Sequence, residues 1–116
     1  MGNFVFMLSK GGAGPATRCF QLAKVAHAQG HQVYVFLVDD GVYWADSSKD
    51  MSEKNPNGDC VGDYLPYLVE KEVPIGICPP CGQARKLDEA KFYANMMWDG
   101  APHLLELASQ GTVINF

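Results

Sequence analysis

The sequence predicts an α/β fold: one domain built on a mainly parallel sheet with helices on both faces. Short apolar runs alternate with stretches of helical spacing in the order β-α-β-loop-α-β-α-β. Alternation of this kind implies parallel strands joined by right-handed crossovers. The second apolar run, "HQVYVFLV" (31–38), is apolar nearly throughout, as a strand covered on both faces must be. The chain has 116 residues, 47% apolar and 19% charged, which suits one core and argues against two, so residues 1–116 are read as a single domain.

The elements follow in order. "NFVFMLS" (3–9) is β-branched and aromatic, hence a strand, and "GGAG" breaks it. Pro15 is placed as a first helical residue. Cys19, Leu22, Ala23 and Ala26 then recur at helical spacing to about Gln29, where Gly30 fits a C-terminal cap. After the second strand comes "DDGVYW" and a polar, unpatterned loop (46–60) of a length usually kept for function or disorder. Val61, Tyr64, Leu65, Leu68 and Val69 return to helical spacing, and Pro66 makes that helix either begin near Leu65 or kink there. "VPIGI" (73–77) is a third strand that delivers the chain to Cys78. Residues 82–98 read as a short helix plus loop, with Met96, Met97 and Trp98 as a core cluster or an oligomer contact. Asp99 is expected to cap a last helix through Leu104, Leu105, Leu107 and Ala108, closed by Gly111, and "TVINF" (112–116) is the final strand.

Charge and targeting signals exclude several functions. The net charge is −4 and no Lys/Arg run occurs, so nucleic acid and anionic membranes are not expected partners. No apolar run approaches the roughly 20 residues of a membrane span, and the N-terminus lacks the basic region of a signal peptide. The expectation is a soluble cytoplasmic protein, in which the four cysteines (Cys19, Cys60, Cys78 and Cys81) are not structural disulfides.

In an open α/β sheet ligands bind at the carboxyl ends of the strands. Three loops leave those ends: "KGGAG" (10–14), "DDGVYW" (39–44) and "CPPCGQAR" (78–85). The first two supply the candidate ligand-binding residues Gly11, Gly12, Gly14, Asp39, Asp40 and Gly41. They do not make a nucleotide site. No Gly-Lys-Ser/Thr follows the glycines, and the dinucleotide fingerprint is met only in part, with Thr17 in its third place. A tight strand-to-helix turn would need the glycines in any case.

The third loop carries the thiol pair. A zinc clip needs four ligands, and no second pair or His spacing supplies them, so no metal and no cofactor is expected. The pair follows a late strand, unlike a thioredoxin motif. A strand end followed by a helix start points backbone N–H groups at Cys78, and Arg85 and Lys86 add positive charge. Both favour a thiolate, the form that accepts sulfane sulfur. Cys81, three residues on, is placed to attack a Cys78 persulfide. Cys19 reads as packed, and Cys60 as a residue that happens to border the long loop.

These features together resemble the DsrE/DsrF/TusD-like superfamily of small sulfur-relay proteins. The similarity runs from the apolar first strand through "AHAQGHQVYVF", "DDGV", "VPIGICPPCGQARKL" and the closing "LLELASQGTVINF". Its most specific element is a cysteine at the end of the third strand with a basic residue seven positions on, Cys78 and Arg85, with Cys81 as the second cysteine of many members. Where members often have Gly after the basic residue, this chain has Lys86. The resemblance implies a three-layer α/β/α sandwich, a homotrimer or hexamer, and a sulfurtransferase or carrier holding sulfur as a persulfide on Cys78, with Cys81 and Arg85 in the catalytic set. Its partners would be sulfur donor and acceptor proteins. Two other readings stand beside it: a non-catalytic module binding a small ligand or partner, and a Cys78–Cys81 redox switch.

Overall fold

The computed structural model describes residues 2–116. Its strands are β1 (Asn3–Leu8), β2 (Gln32–Leu37), β3 (Ile75–Ile77), β4 (Met96–Trp98) and β5 (Thr112–Asn115). Its helices are α1 (Ala13–Ala28), α2 (Leu65–Glu70), α3 (Pro79–Ala84) and α4 (Ala101–Ala108), with short 3-10 turns at Asp39–Ala45, Val61–Asp63 and Glu89–Lys91. The strands form one parallel sheet in the order β4-β3-β2-β1-β5.

Register follows the pleat. Asn3 to Leu8 pair with Gln32 to Leu37, so Phe6 and Leu8 share a face with Val33, Val35 and Leu37, while Val5 shares the other with Tyr34 and Phe36. The first face is continued by Ile75, Ile77 and Met96 and is covered by α1 and α2. Helix α1 buries Phe20 together with Ala16, Cys19, Ala23 and Ala26, whose small side chains let it sit close to the strands. Leu22, expected on that stripe, is instead turned outward at the helix flank.

The strand order explains the layers. From β1 to β4 the sheet grows in one direction, so right-handed crossovers put α1 and α2 on the same side. Returning from β4 to β5 crosses the sheet the other way and puts α4 on the opposite face, where Leu104 packs on Val5, Tyr34 and Phe36. That face has one helix of eight residues, about 12 Å long, over five strands. Met97 and Val113 are left exposed, as is Leu105 on the outer side of α4.

Three expectations are corrected. Residues 96–98 form a fifth strand rather than the end of a loop. The outer edge of β3 needs a hydrogen-bonding partner, and Ile75 N–H donates to Asn95 O and Asp99 N–H to Ile77 O. The helix expected after residue 82 begins earlier, at Pro79. Asp99 does not cap α4: Gly100 is the N-cap, and Pro102 lies in the first turn. The two outcomes left open at Pro66 resolve as a start, with α2 beginning at Leu65. The long loop 46–60 is docked on α1. Asn55 donates to Thr17 Oγ1 at 2.8 Å, and Arg18 meets Asp59 at 3.0 Å.

Candidate thiol site at the carboxyl edge

The three loops converge. Trp44 Nε1 donates to Gly11 O at 2.9 Å, and Arg85 Nε donates to Asp40 Oδ1 at 3.0 Å. The Cys81 sulfur lies 4.0 Å from Asp39 Oδ1.

Cys78 is the N-cap of α3 and both following residues are prolines. Their fixed φ suits a first helical turn. They also lack N–H groups, so the donors of this helix start are reduced to Cys81 and Gly82. Gly82 N–H closes the turn on Cys78 O at 3.0 Å, which leaves the Cys81 N–H to face the Cys78 sulfur. Cys78 N–H is itself held by Leu37 O at 3.0 Å, so the backbone under the thiol is fixed by the sheet.

The expected lowering of the Cys78 thiol is not found. Burial pushes it up, the hydrogen bond between the two thiols pushes the same way, and the nearby Asp39 charge adds to both. The single Cys81 N–H opposes them and is outweighed. Cys78 therefore rests as a thiol at neutral pH.

Arg85 does not supply the missing positive charge to that sulfur. Its guanidinium is 3.0 Å from Asp40 by Nε and by Nη2, and Nη1 donates to Cys81 O at 3.0 Å. It lies over the exposed Tyr43 ring. Arg85 thus ties α3 to the 39–45 turn. Lys86 comes next with φ 58°, in the left-handed region that favours glycine.

The remaining candidates take positions set by packing. Gly12 is the N-cap of α1, and Gly14 lies in its first turn beside Asn55. Gly11 packs on Asp40, and a Cβ at Gly41 would collide with the Leu8 carbonyl. Asp39 has φ 51°, a left-handed conformation that aspartate tolerates better than most residues. That conformation sets the carboxylate beside the thiols, a role the sequence reading did not give it. The "DDG" tripeptide after a strand was the available signal.

Cys19 is buried in the core, which pushes its thiol far up. Cys60 is buried too and caps the Val61–Asp63 turn, with its N–H donating to Asp63 Oδ2 at 3.0 Å. Among the described residues no three His, Cys, Asp or Glu side chains come together as metal ligands. No helix among them is long and apolar enough to cross a membrane.

Comparison with known proteins agrees with this fold. A protein of Methanopyrus kandleri, "Uncharacterized protein MK0008", is 29% identical over 104 residues, covering 87% of this chain and 73% of the relative. The crystal structure of the ychN protein from E. coli superposes with a TM-score of 0.78 at 18% identity, both chains being covered in full. The structure of MTH1491 from Methanobacterium thermoautotrophicum, a protein of unknown function, gives 0.69 at 14%, again over the whole of both chains. Both likenesses are of fold. The model of the DsrE/DsrF-like family matches residues 2–116, and the chain belongs to that family.

Proposed function

We propose that this protein is a sulfur carrier working in the cytoplasm, with Cys78 as the residue that accepts sulfane sulfur and passes it on. The observation that carries the reading is the setting of Cys78. It lies at a strand end fixed by the sheet, with one N–H facing its sulfur and a second thiol three residues away. Membership of a family associated with sulfur relay supports it.

In the loading step the Cys78 thiol gives up its proton and the thiolate attacks the outer sulfur of a donor hydropersulfide. The donor S–S bond breaks, a new S–S bond forms on Cys78, and the donor leaves as a thiolate. Discharge to an acceptor thiol is the same step reversed in role. Because Cys78 rests protonated, loading depends on a donor that takes the proton. Protein donors and acceptors suit this. A trimer or hexamer fits the exposed Leu105 and Val113.

Intact mass after incubation with a hydropersulfide donor tests the proposal. A gain of one sulfur atom is expected in the native protein and in Cys81→Ser, with a longer-lived adduct in the latter, and no gain in Cys78→Ser. No adduct on any form would sink the proposal. If Cys78→Ser loads and Cys81→Ser does not, Cys81 is the carrier.

The spacing of the two free thiols, three residues apart at one helix start, favours a second reading, a dithiol–disulfide switch. There both thiols lose their protons and one electron each to a peroxide or disulfide oxidant. Formation of a Cys78–Cys81 disulfide with no sulfur uptake distinguishes it.

A further inference from the structure

The side of the sheet carrying α4 contains a cavity of about 420 Å³, within the size range of small-ligand sites, roughly 300–1,000 Å³. It lies toward the amino ends of β1 and β2, away from the strand ends that carry the thiols. Val5 and Tyr34 form its floor, with Pro74, Met97 and Leu107 as walls.

A hydrogen-bonded cluster is built into its side. Gly76 has no side chain, and a Cβ there would strike the Tyr34 hydroxyl; its absence lets the Tyr34 phenol cross β3 and donate to Asp99 Oδ2. His103 Nδ1 meets the same oxygen, and Gly100 N–H donates to Asp99 Oδ1 at 3.0 Å. Burial works to raise the Asp99 carboxyl, but its hydrogen bonds outweigh it and hold the group below its ordinary range. Burial pushes the Tyr34 phenol up, so it stays a donor. Three donors therefore face the carboxylate, two at Oδ2 and one at Oδ1. With Nδ1–H directed at the carboxylate, the neutral form of the ring offers Nε2 as an acceptor, and Nε2 has no hydrogen-bond partner among the described residues.

The lining decides the ligand class. It holds no Lys or Arg, so an anion would meet Asp99 with only the paired imidazole to offset it. A cation would compete with Tyr34, His103 and Gly100 N–H for Asp99. We infer that this cavity binds a small neutral molecule with an apolar body and one weakly acidic hydroxyl or thiol group, which donates to His103 Nε2. The site is separate from Cys78, and its occupancy does not depend on what that thiol does.

The test is a titration of the isotope-labelled protein with 4-methylphenol, following the His103 imidazole and Met97 methyl resonances. Saturable shifts at both are expected. Toluene, the same body without the hydroxyl, should bind about tenfold weaker, the worth of one hydrogen bond. His103→Ala should reduce 4-methylphenol to the level of toluene. Leu107→Trp should fill the cavity and abolish both, with Cys78 alkylation unchanged. Equal binding of toluene and 4-methylphenol overturns the inference, as does the absence of a saturable shift. So do His103 and Met97 shifts that depend on protein concentration without added probe, because they place a second copy on this groove.

Discussion

Arg85 is held by Asp40, with Nε and Nη2 each 3.0 Å from the same carboxylate oxygen, and its third nitrogen holds the Cys81 carbonyl. The basic residue of the thiol loop therefore works by tying α3 to the turn after β2. Arg85→Ala is expected to slow sulfur loading of Cys78 by less than about tenfold, whereas Cys78→Ser abolishes it. The exposed pair itself should contribute little to stability. Loading rates by mass, set beside denaturant midpoints, check both. Complete loss of loading with an intact fold would put the Arg85 charge in direct contact with the reacting sulfur.

The pH dependence of Cys78 follows from its raised thiol. Below its folded pKa it is protonated and unreactive, so alkylation should climb with pH and be half-maximal above about 8.5, the ordinary thiol value. Asp39→Asn removes a negative charge without losing tolerance for the left-handed backbone, and should move that midpoint down. Iodoacetamide rates against pH for Cys81→Ser, with and without Asp39→Asn, measure this. An unchanged midpoint excludes Asp39 as a neighbour of electrostatic weight.

Acid should loosen the 46–60 loop. Hydrogen bonds from Arg18 and then Tyr64 hold Asp59 below the ordinary carboxylate range. With the folded pKa depressed, the stabilisation is complete above the unfolded value of about 4 and is lost as pH falls through the folded one. Asp59→Asn should lower the thermal midpoint near neutral pH, and the gap to the native protein should close in acid. A gap that persists unchanged at the lowest pH would show that charge is not the source.

Two backbone positions give opposite expectations. Gly41→Ala drives a Cβ into the Leu8 carbonyl and should cost about 3 kcal/mol, since neither backbone can yield cheaply. Lys86→Gly relieves a left-handed lysine and should add about 1 kcal/mol. Urea midpoints on both variants provide the check.

Strands β1, β2, β3 and β5 were legible because each is a run of apolar residues long enough, or bounded clearly enough, to show its period. Strand β4 was not, since Met96–Trp98 is three residues long and is defined by the open edge of β3 rather than by a pattern of its own. Within the site, "CPPCGQAR" marked the loop, but its electrostatics were misread. Each proline removes a donor that a helix start would normally offer, and the arginine finds a carboxylate only once the 39–45 turn folds beside it. The Tyr34–Asp99–His103 cluster could not be read either. It joins residues from β2, the end of β4 and α4, and it depends on the missing side chain of Gly76.

The single short helix over the second face also sets where the protein opens first. An eight-residue helix is below the length that holds together alone in water, so α4 persists only while Leu104 stays docked and His103 stays tied to Asp99. Its amides should exchange with solvent through local detachment, well before those of the central strands β1 and β2, which need global unfolding. The face with least cover is thus the protein's most readily released cooperative unit, and a molecule bound beneath α4 would slow that exchange without touching the rest of the sheet.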